Sequence, residues 1–329
     1  MNHAIKITAN QCTPHDHRSV HRALRFFVLT LVLVAFSPFS PLQAETEPES
    51  SQWLAELQAW KQHRLESLKR PFGWLSLVGM EWLHKGSNSI GSAADNRIQL
   101  SHGAPHVGDF DYDGEKLFFT PAPGVEIHAN DQRVTDTIPV ATDQQENTTK
   151  FRHDSYEFYV IERGKPALRI KDSQAPTRVN FAGLEYFPAD PKWRVKARFI
   201  PYQPPKSIEI VNVLGLLNKE PSPGALAFEL NGKPQRLDVI DEGGDEYFVI
   251  FADRTNGRST YGPGRFVYVK NPDANGETWL DFNRAYNPPC AFTDYSTCPL
   301  PPPQNRLREF ITAGEKKYHG GSHARERMD

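Results

Sequence analysis

The chain has 329 residues, enough for one large domain or two ordinary ones. Apolar residues make up 38% and charged residues 24%, a globular composition that excludes a mainly disordered chain. The formal charge of −2, with no basic run of five or more residues, leaves no electrostatic footprint for nucleic acid, and no nucleic-acid partner is expected.

The first element is a leader. Arg18, Arg22 and Arg25 precede the apolar run Phe26–Phe36, and Ser37-Pro38, Ser40-Pro41 and Leu42-Gln43-Ala44 then lead to Glu45. A charged region, an apolar core and a small-residue cleavage site in that order read as a signal peptide over 1–44. The apolar run is shorter than the roughly 20 residues that span a bilayer, so no membrane span is expected after processing. The mature protein is expected to be periplasmic or secreted. Four basic residues and one acidic residue lie in 1–44, so their removal takes the formal charge from −2 to −5.

Residues 45–51 are polar and acidic and read as a linker. Over 52–70, Trp53, Leu54, Leu57, Trp60, Arg64, Leu65 and Leu68 recur at helical spacing, which predicts an amphipathic helix ended by Lys69-Arg70-Pro71. From Phe72 the pattern changes to short apolar runs between Gly, Asn, Asp and Pro. Asp113-Gly114 and Asn231-Gly232 are hairpin signals. Arg194–Ile200 and Ser207–Val213 are among the later runs of this kind. Turn signals every eight to twelve residues, with no alternation of strand and helix, predict a mainly all-β fold. We expect two packed β-sandwich or barrel-like layers with an N-terminal amphipathic helix. The polar span Ala141–Lys150 divides an N-terminal helix and β-sandwich (52–140) from a β-rich domain (151–316), and 317–329 reads as a flexible tail. The span also fits a long loop inside one composite domain.

No P-loop, H-E-x-x-H, nucleophile elbow or dinucleotide fingerprint is present, so the sequence assigns no reaction and no cofactor or metal. The segment with most potential chemistry reads Asp281-Phe282-Asn283-Arg284-Ala285-Tyr286-Asn287-Pro288-Pro289-Cys290. It continues at Cys298-Pro299-Leu300-Pro301-Pro302-Pro303-Gln304-Asn305-Arg306-Leu307 and Ala313-Gly314-Glu315-Lys316. These blocks resemble a bacterial and archaeal family catalogued only as a domain of unknown function. The likeness runs from Trp60 and the Gly73-Trp74-Leu75 turn to Glu315 and implies no activity. The rhythm of Asn88–Ser92, Asp95–Leu100 and Pro105–Phe110 is similar to forkhead-associated β-sandwiches. Ser92 stands where that family has its phosphate-binding Arg, so this second likeness bears on the fold only.

Asp281, Asn283, Arg284, Asn287 and Asn305 place charge and amides on a proline-stiffened connection, a suitable setting for a site. The same groups are equally suited to satisfying the backbone of a buried loop. Phe282, Tyr286, Phe292, Tyr295 and Leu307 would anchor such a loop over the second β-layer. Tyr261 and Arg265, in a glycine-rich turn, are candidates to face the same pocket. Two readings follow: a binding module holding a small polar ligand or carbohydrate on Tyr261, Arg265, Asp281, Asn283, Arg284, Asn287 and Asn305, or an envelope hydrolase using Asp281 as acid or base beside Arg284. Whether the chain is an enzyme stays open between them. Of the 3 cysteines, Cys12 lies in the leader. Cys290 and Cys298 read first as a disulfide, which in an exported chain would contribute roughly 2–3 kcal/mol. A thiolate nucleophile, or a zinc site shared with His319 and His323, are the alternatives.

Overall fold

The computed structural model describes residues 47–320, so the leader, Cys12 and His323 lie outside the described residues. The hydrophobic clusters close among the described residues. Among the described residues strands far outnumber helices, a mainly β fold with one substantial N-terminal helix.

That helix, α1, spans Glu47–Lys69 and so begins inside the expected linker. Pro48 does not prevent this, because the N–H it lacks is unpaired anyway in a first turn. Trp53, Leu57 and Leu68 form the buried stripe, while Leu54 faces outward at 40% exposure.

In the first half the strands are β1 (Leu77–Trp82), β2 (Gly86–Gly91), β3 (Ile98–Gln99), β4 (Gly108–Tyr112), β5 (Leu117–Pro121), β6 (His128–Ala129), β7 (Gln132–Arg133), β8 (Ile138–Pro139), β9 (Phe151–His153), β10 (Tyr156–Glu162) and β11 (Pro166–Asp172). They make two sheets, ordered β1-β11-β10-β9-β6-β7 and β3-β2-β4-β5-β8. Alternation turns Phe110 and Phe119 of one sheet toward Phe151, Phe158 and Leu168 of the other, giving a sandwich core. Strands β9–β11 therefore belong with β1, so the change of layer falls after Asp172, not at 141–150. The polar span 141–150 is a loop inside the sandwich; Ala141 N donates to Thr149 Oγ1 and Asp143 N to the Val160 carbonyl.

A short helix α2 (Pro176–Val179) leads to the second half: β12 (Arg194–Val211), β13 (Leu217–Leu230), β14 (Lys233–Asp238), β15 (Ile240–Asp241), β16 (Glu246–Phe251), β17 (Arg265–Lys270) and β18 (Glu277–Asp281). Their sheets run β14-β13-β12-β18 and β15-β16-β17. Val195, Ala197, Leu226, Val249, Phe251 and Leu280 are among the residues that fill the space between them. The runs at 194–200 and 207–213 lie on the one long strand β12, whose register against β13 shifts between Pro201 and Lys206. That irregularity accommodates prolines that cannot donate to the ladder. Asn231 and Gly232, both at positive φ, form the two-residue turn between β13 and β14.

From Phe282 to Tyr318 the chain has no strand in either sheet, yet it is ordered and packed. Phe282, Phe292 and Leu307 are buried anchors, as expected, whereas Tyr295 is 39% exposed. Helix α1 packs here and not on the N-terminal sandwich. Trp53 Nε1 donates to Asp281, and Arg64 donates to Glu315 and to the Asn287 carbonyl. Gly314 has φ +75°, and a side chain there would collide with the Ala285 carbonyl, so glycine lets the last segment close over this turn. Tyr318, which lies within the expected tail, packs against Phe181 and Phe292.

Candidate functional site

Alternation along β12 and β18 creates a two-faced wall. Val195, Ala197 and Leu280 turn inward to the core, so Arg194 and Lys196 on one strand and Glu277 and Trp279 on the other turn outward. Arg194 lies opposite Asp281 and Lys196 opposite Trp279. Tyr268 and Lys270 of β17, Trp53 and Glu56 of α1, and Arg284 complete a cleft of about 500 Å³. Lys196 bonds Glu277 at 2.6 Å, and the Arg194 guanidinium lies 4.4 Å from the centre of the Trp279 ring. Trp279 is 43% exposed, unusual for a residue that ranks among the more buried types.

Asp281 sits at the inner end of the wall, 7% exposed. Its Oδ1 accepts from the Asn283 N–H and Nδ2, both at 2.9 Å, and its Oδ2 accepts from Trp53 Nε1 at 2.7 Å. Arg284 Nε is 3.8 Å from Asp281 and its Nη2 is 3.7 Å from Glu56, both beyond hydrogen-bond length. Burial pushes the Lys61 ammonium below the usual lysine range, with Asp281 pulling the other way.

Of the seven ligand residues expected from sequence, Asp281 and Arg284 line this cleft and the other five do not. Arg265 is fully buried. It bonds Asp253 at 2.8 Å, the Ile311 carbonyl at 3.0 Å and the Ala313 carbonyl, clamping the C-terminal segment to β17. Burial lowers its pKa, opposed by Asp253. Asn283 exchanges bonds with the Asp190 backbone. Asn287 donates from its backbone to Glu315 and from its side chain to the Lys316 carbonyl. Asn305 accepts from Asp238 N and donates to the Asp238 and Ile250 carbonyls. Tyr261 donates to the Cys290 carbonyl. These amides satisfy loop backbone, as their spacing also allowed.

The expected disulfide is not seen: Cys290 and Cys298 do not stand at disulfide distance. They are in contact, with the Cys290 N–H donating to Cys298 Sγ at 3.0 Å and Ser296 Oγ lying 2.9 Å from Cys290 Sγ. Burial raises the Cys298 thiol well above its ordinary value, an environment that disfavours a thiolate nucleophile. No group of three or more metal-ligating side chains occurs among the described residues.

Sequence reading missed Glu315, Arg64 and Trp53, whose partners lie hundreds of positions away. Trp279 carried a usable signal, since Leu280 and Phe282 facing inward require Trp279 and Asp281 to face outward.

Residues 179–316 match the sequence profile of a family described as "Protein of unknown function (DUF1684)", a match that begins later than Trp60 and covers less than half the chain. One similar solved structure is the solution NMR structure of the uncharacterized protein from gene locus rrnAC0354 of Haloarcula marismortui. It is 33% identical over 43% of this chain and 79% of its own, with a TM-score of 0.37. Another is the FhaA FHA domain, solved in complex with the intracellular domain of Rv3910. It is 16% identical over 27% of this chain and 84% of its own, with a TM-score of 0.19. No curated protein matches. No helix among the described residues is long and apolar enough to cross a membrane.

Proposed function

We propose that this chain is an exported binding module whose cleft takes a small polar ligand, for which a carbohydrate is the best chemical fit. The observation that carries the reading is Trp279, 43% exposed on the wall of a cleft of about 500 Å³. A sugar offers an apolar ring face to an aromatic side chain and a rim of hydroxyls to donors and acceptors. Asn271, Glu246, Lys270 and Arg284, which also line the cleft, supply both kinds of group. Binding is favoured over hydrolysis by the state of Asp281, whose two oxygens already accept three hydrogen bonds from Trp53 and Asn283. A general acid or base needs a proton route to substrate, and these donors take up most of the carboxylate's acceptor positions.

The leader pattern from Arg18 to Ala44 supports export. In an oxidising compartment the touching thiols of Cys290 and Cys298 would close. The two thiols lose two protons and two electrons to the disulfide of an exchange partner, which leaves as a dithiol.

The test is a thermal-shift screen with neutral and acidic oligosaccharides. A ligand at a hundredfold its Kd stabilises by about 2.7 kcal/mol, which is roughly 5–11 °C for a domain of this size. Trp279→Ala should abolish the shift while changing intrinsic stability by no more than about 0.5 kcal/mol. A panel in which no saccharide raises the melting temperature, or a Trp279→Ala protein that responds like the parent, overturns the reading.

A further inference from the structure

Outside the cleft, the most concentrated charge lies where the turn after β16 meets the segment before Ile311. Ala252 bridges Arg306, and the Arg254 N–H donates to the Glu309 carbonyl at 3.0 Å, so the two stretches run side by side. Leu307 and Ile311 point into the core. By alternation Arg306, Arg308 and Phe310 point outward, and all three are exposed, as are Arg254 and Arg258. The Phe310 ring is 44% exposed. The guanidinium carbons of Arg254 and Arg258 lie 4.9 and 5.7 Å from its centre.

Of the carboxylates on these two stretches, only Glu309 bears on that charge, through its attraction to Arg254. Asp253 is buried against Arg265 at 2.8 Å. Glu309 bonds Lys233 at 3.2 Å and Asn231 at 3.1 Å. Four arginines are thus exposed on adjacent stretches of a chain whose formal charge is −2, with Arg306 donating to the Pro301 carbonyl at 3.2 Å. The clustering is local, and the sequence hides it because Arg254 and Arg258 are some fifty positions from Arg306 and Arg308.

From this juxtaposition we propose that the face formed by Arg254, Arg258, Arg306, Arg308 and Phe310 docks on an anionic lipid surface. Guanidinium groups pair with lipid phosphates in two-pronged fashion. An outward Phe gains nothing from a soluble polyanion, but it partitions into the boundary between headgroups and acyl chains. Each basic residue near an anionic bilayer multiplies partitioning by roughly fivefold.

The experiment uses the chain from Glu45, whose cores close without the preceding residues. Sedimentation is measured with vesicles of phosphatidylcholine alone and of phosphatidylcholine mixed with phosphatidylglycerol, at low and high salt. Binding to the mixed vesicles should exceed binding to the neutral ones and fall with salt. The double substitution Arg306→Ala with Arg308→Ala should weaken it by roughly thirtyfold, and Phe310→Ser should weaken it at both salt concentrations. Melting temperatures matching the parent confirm that each variant folds; the salt dependence of the unmodified chain and the single Arg308→Ala variant supply readouts independent of the double variant. Equal binding to both vesicle types overturns the proposal, as does binding indifferent to the arginine substitutions. Binding to inorganic polyphosphate with none to vesicles overturns it as well.

Discussion

Arg265 was a candidate ligand residue and is instead a buried clamp, and one substitution separates the two roles. Arg265→Met keeps an apolar stem of similar length and removes the guanidinium. Asp253 would retain donors from the Thr255 N–H and hydroxyl and from the Ile311 N–H, so its loss is partly cushioned. The carbonyls of Ile311 and Ala313 would each lose their guanidinium donor. Breaking a buried pair by removing one partner costs about 3–5 kcal/mol. For a domain of this size that corresponds to a fall of roughly 6–20 °C in melting temperature, at 2–4 °C per kcal/mol. Thermal melts and urea titrations would measure it, with the urea slope expected to stay constant if the native fold is kept. Adding Asp253→Asn should recover part of the loss, since no buried charge is then left unpaired. A melting temperature within about 2 °C of the parent, together with lost ligand binding, would refute the clamp and restore Arg265 to the site.

Trp53→Phe keeps the ring and deletes the indole N–H, and a hydrogen bond to a charged group is worth about 1.5–3 kcal/mol. Hydrogen exchange should show α1 opening more readily while the sandwich core of Phe110 and Phe151 keeps its protection; unchanged exchange in α1 would show that the tether to Asp281 is dispensable. For the cysteines, thiol titration of the denatured, unreduced protein recovered after export should find none free, and two free thiols there would mean the pair stays reduced.

The strand-rich fold was legible because its signals are local. Alternation in β4 and β5, and the Asn231-Gly232 turn, depend on residues within a few positions of one another. The layer boundary was not legible, because a polar surface loop at 141–150 and a true change of layer have the same composition. In the site, Asp281 and Arg284 were identifiable as polar groups following a strand. What Asn283, Asn287 and Asn305 do was not, because an amide that satisfies backbone and one that grips a ligand are the same residue in sequence. Arg64 and Glu315, separated by 251 positions, form an ion pair that only the three-dimensional path of the chain reveals.

The tether between α1 and the closing segment also sets an order of events. A ribosome delivers α1 first, yet the Asp281 carboxylate that receives Trp53 is 228 residues further on. At roughly 5–20 residues per second the helix waits about 10–45 s with its Trp53 and Leu57 stripe uncovered. Nearly the whole chain must exist before its beginning can be sealed. A polypeptide cut short between Asp172 and Asp281 would keep its sandwich strands and leave that helix exposed, a visible mark of incompleteness for chaperones and proteases.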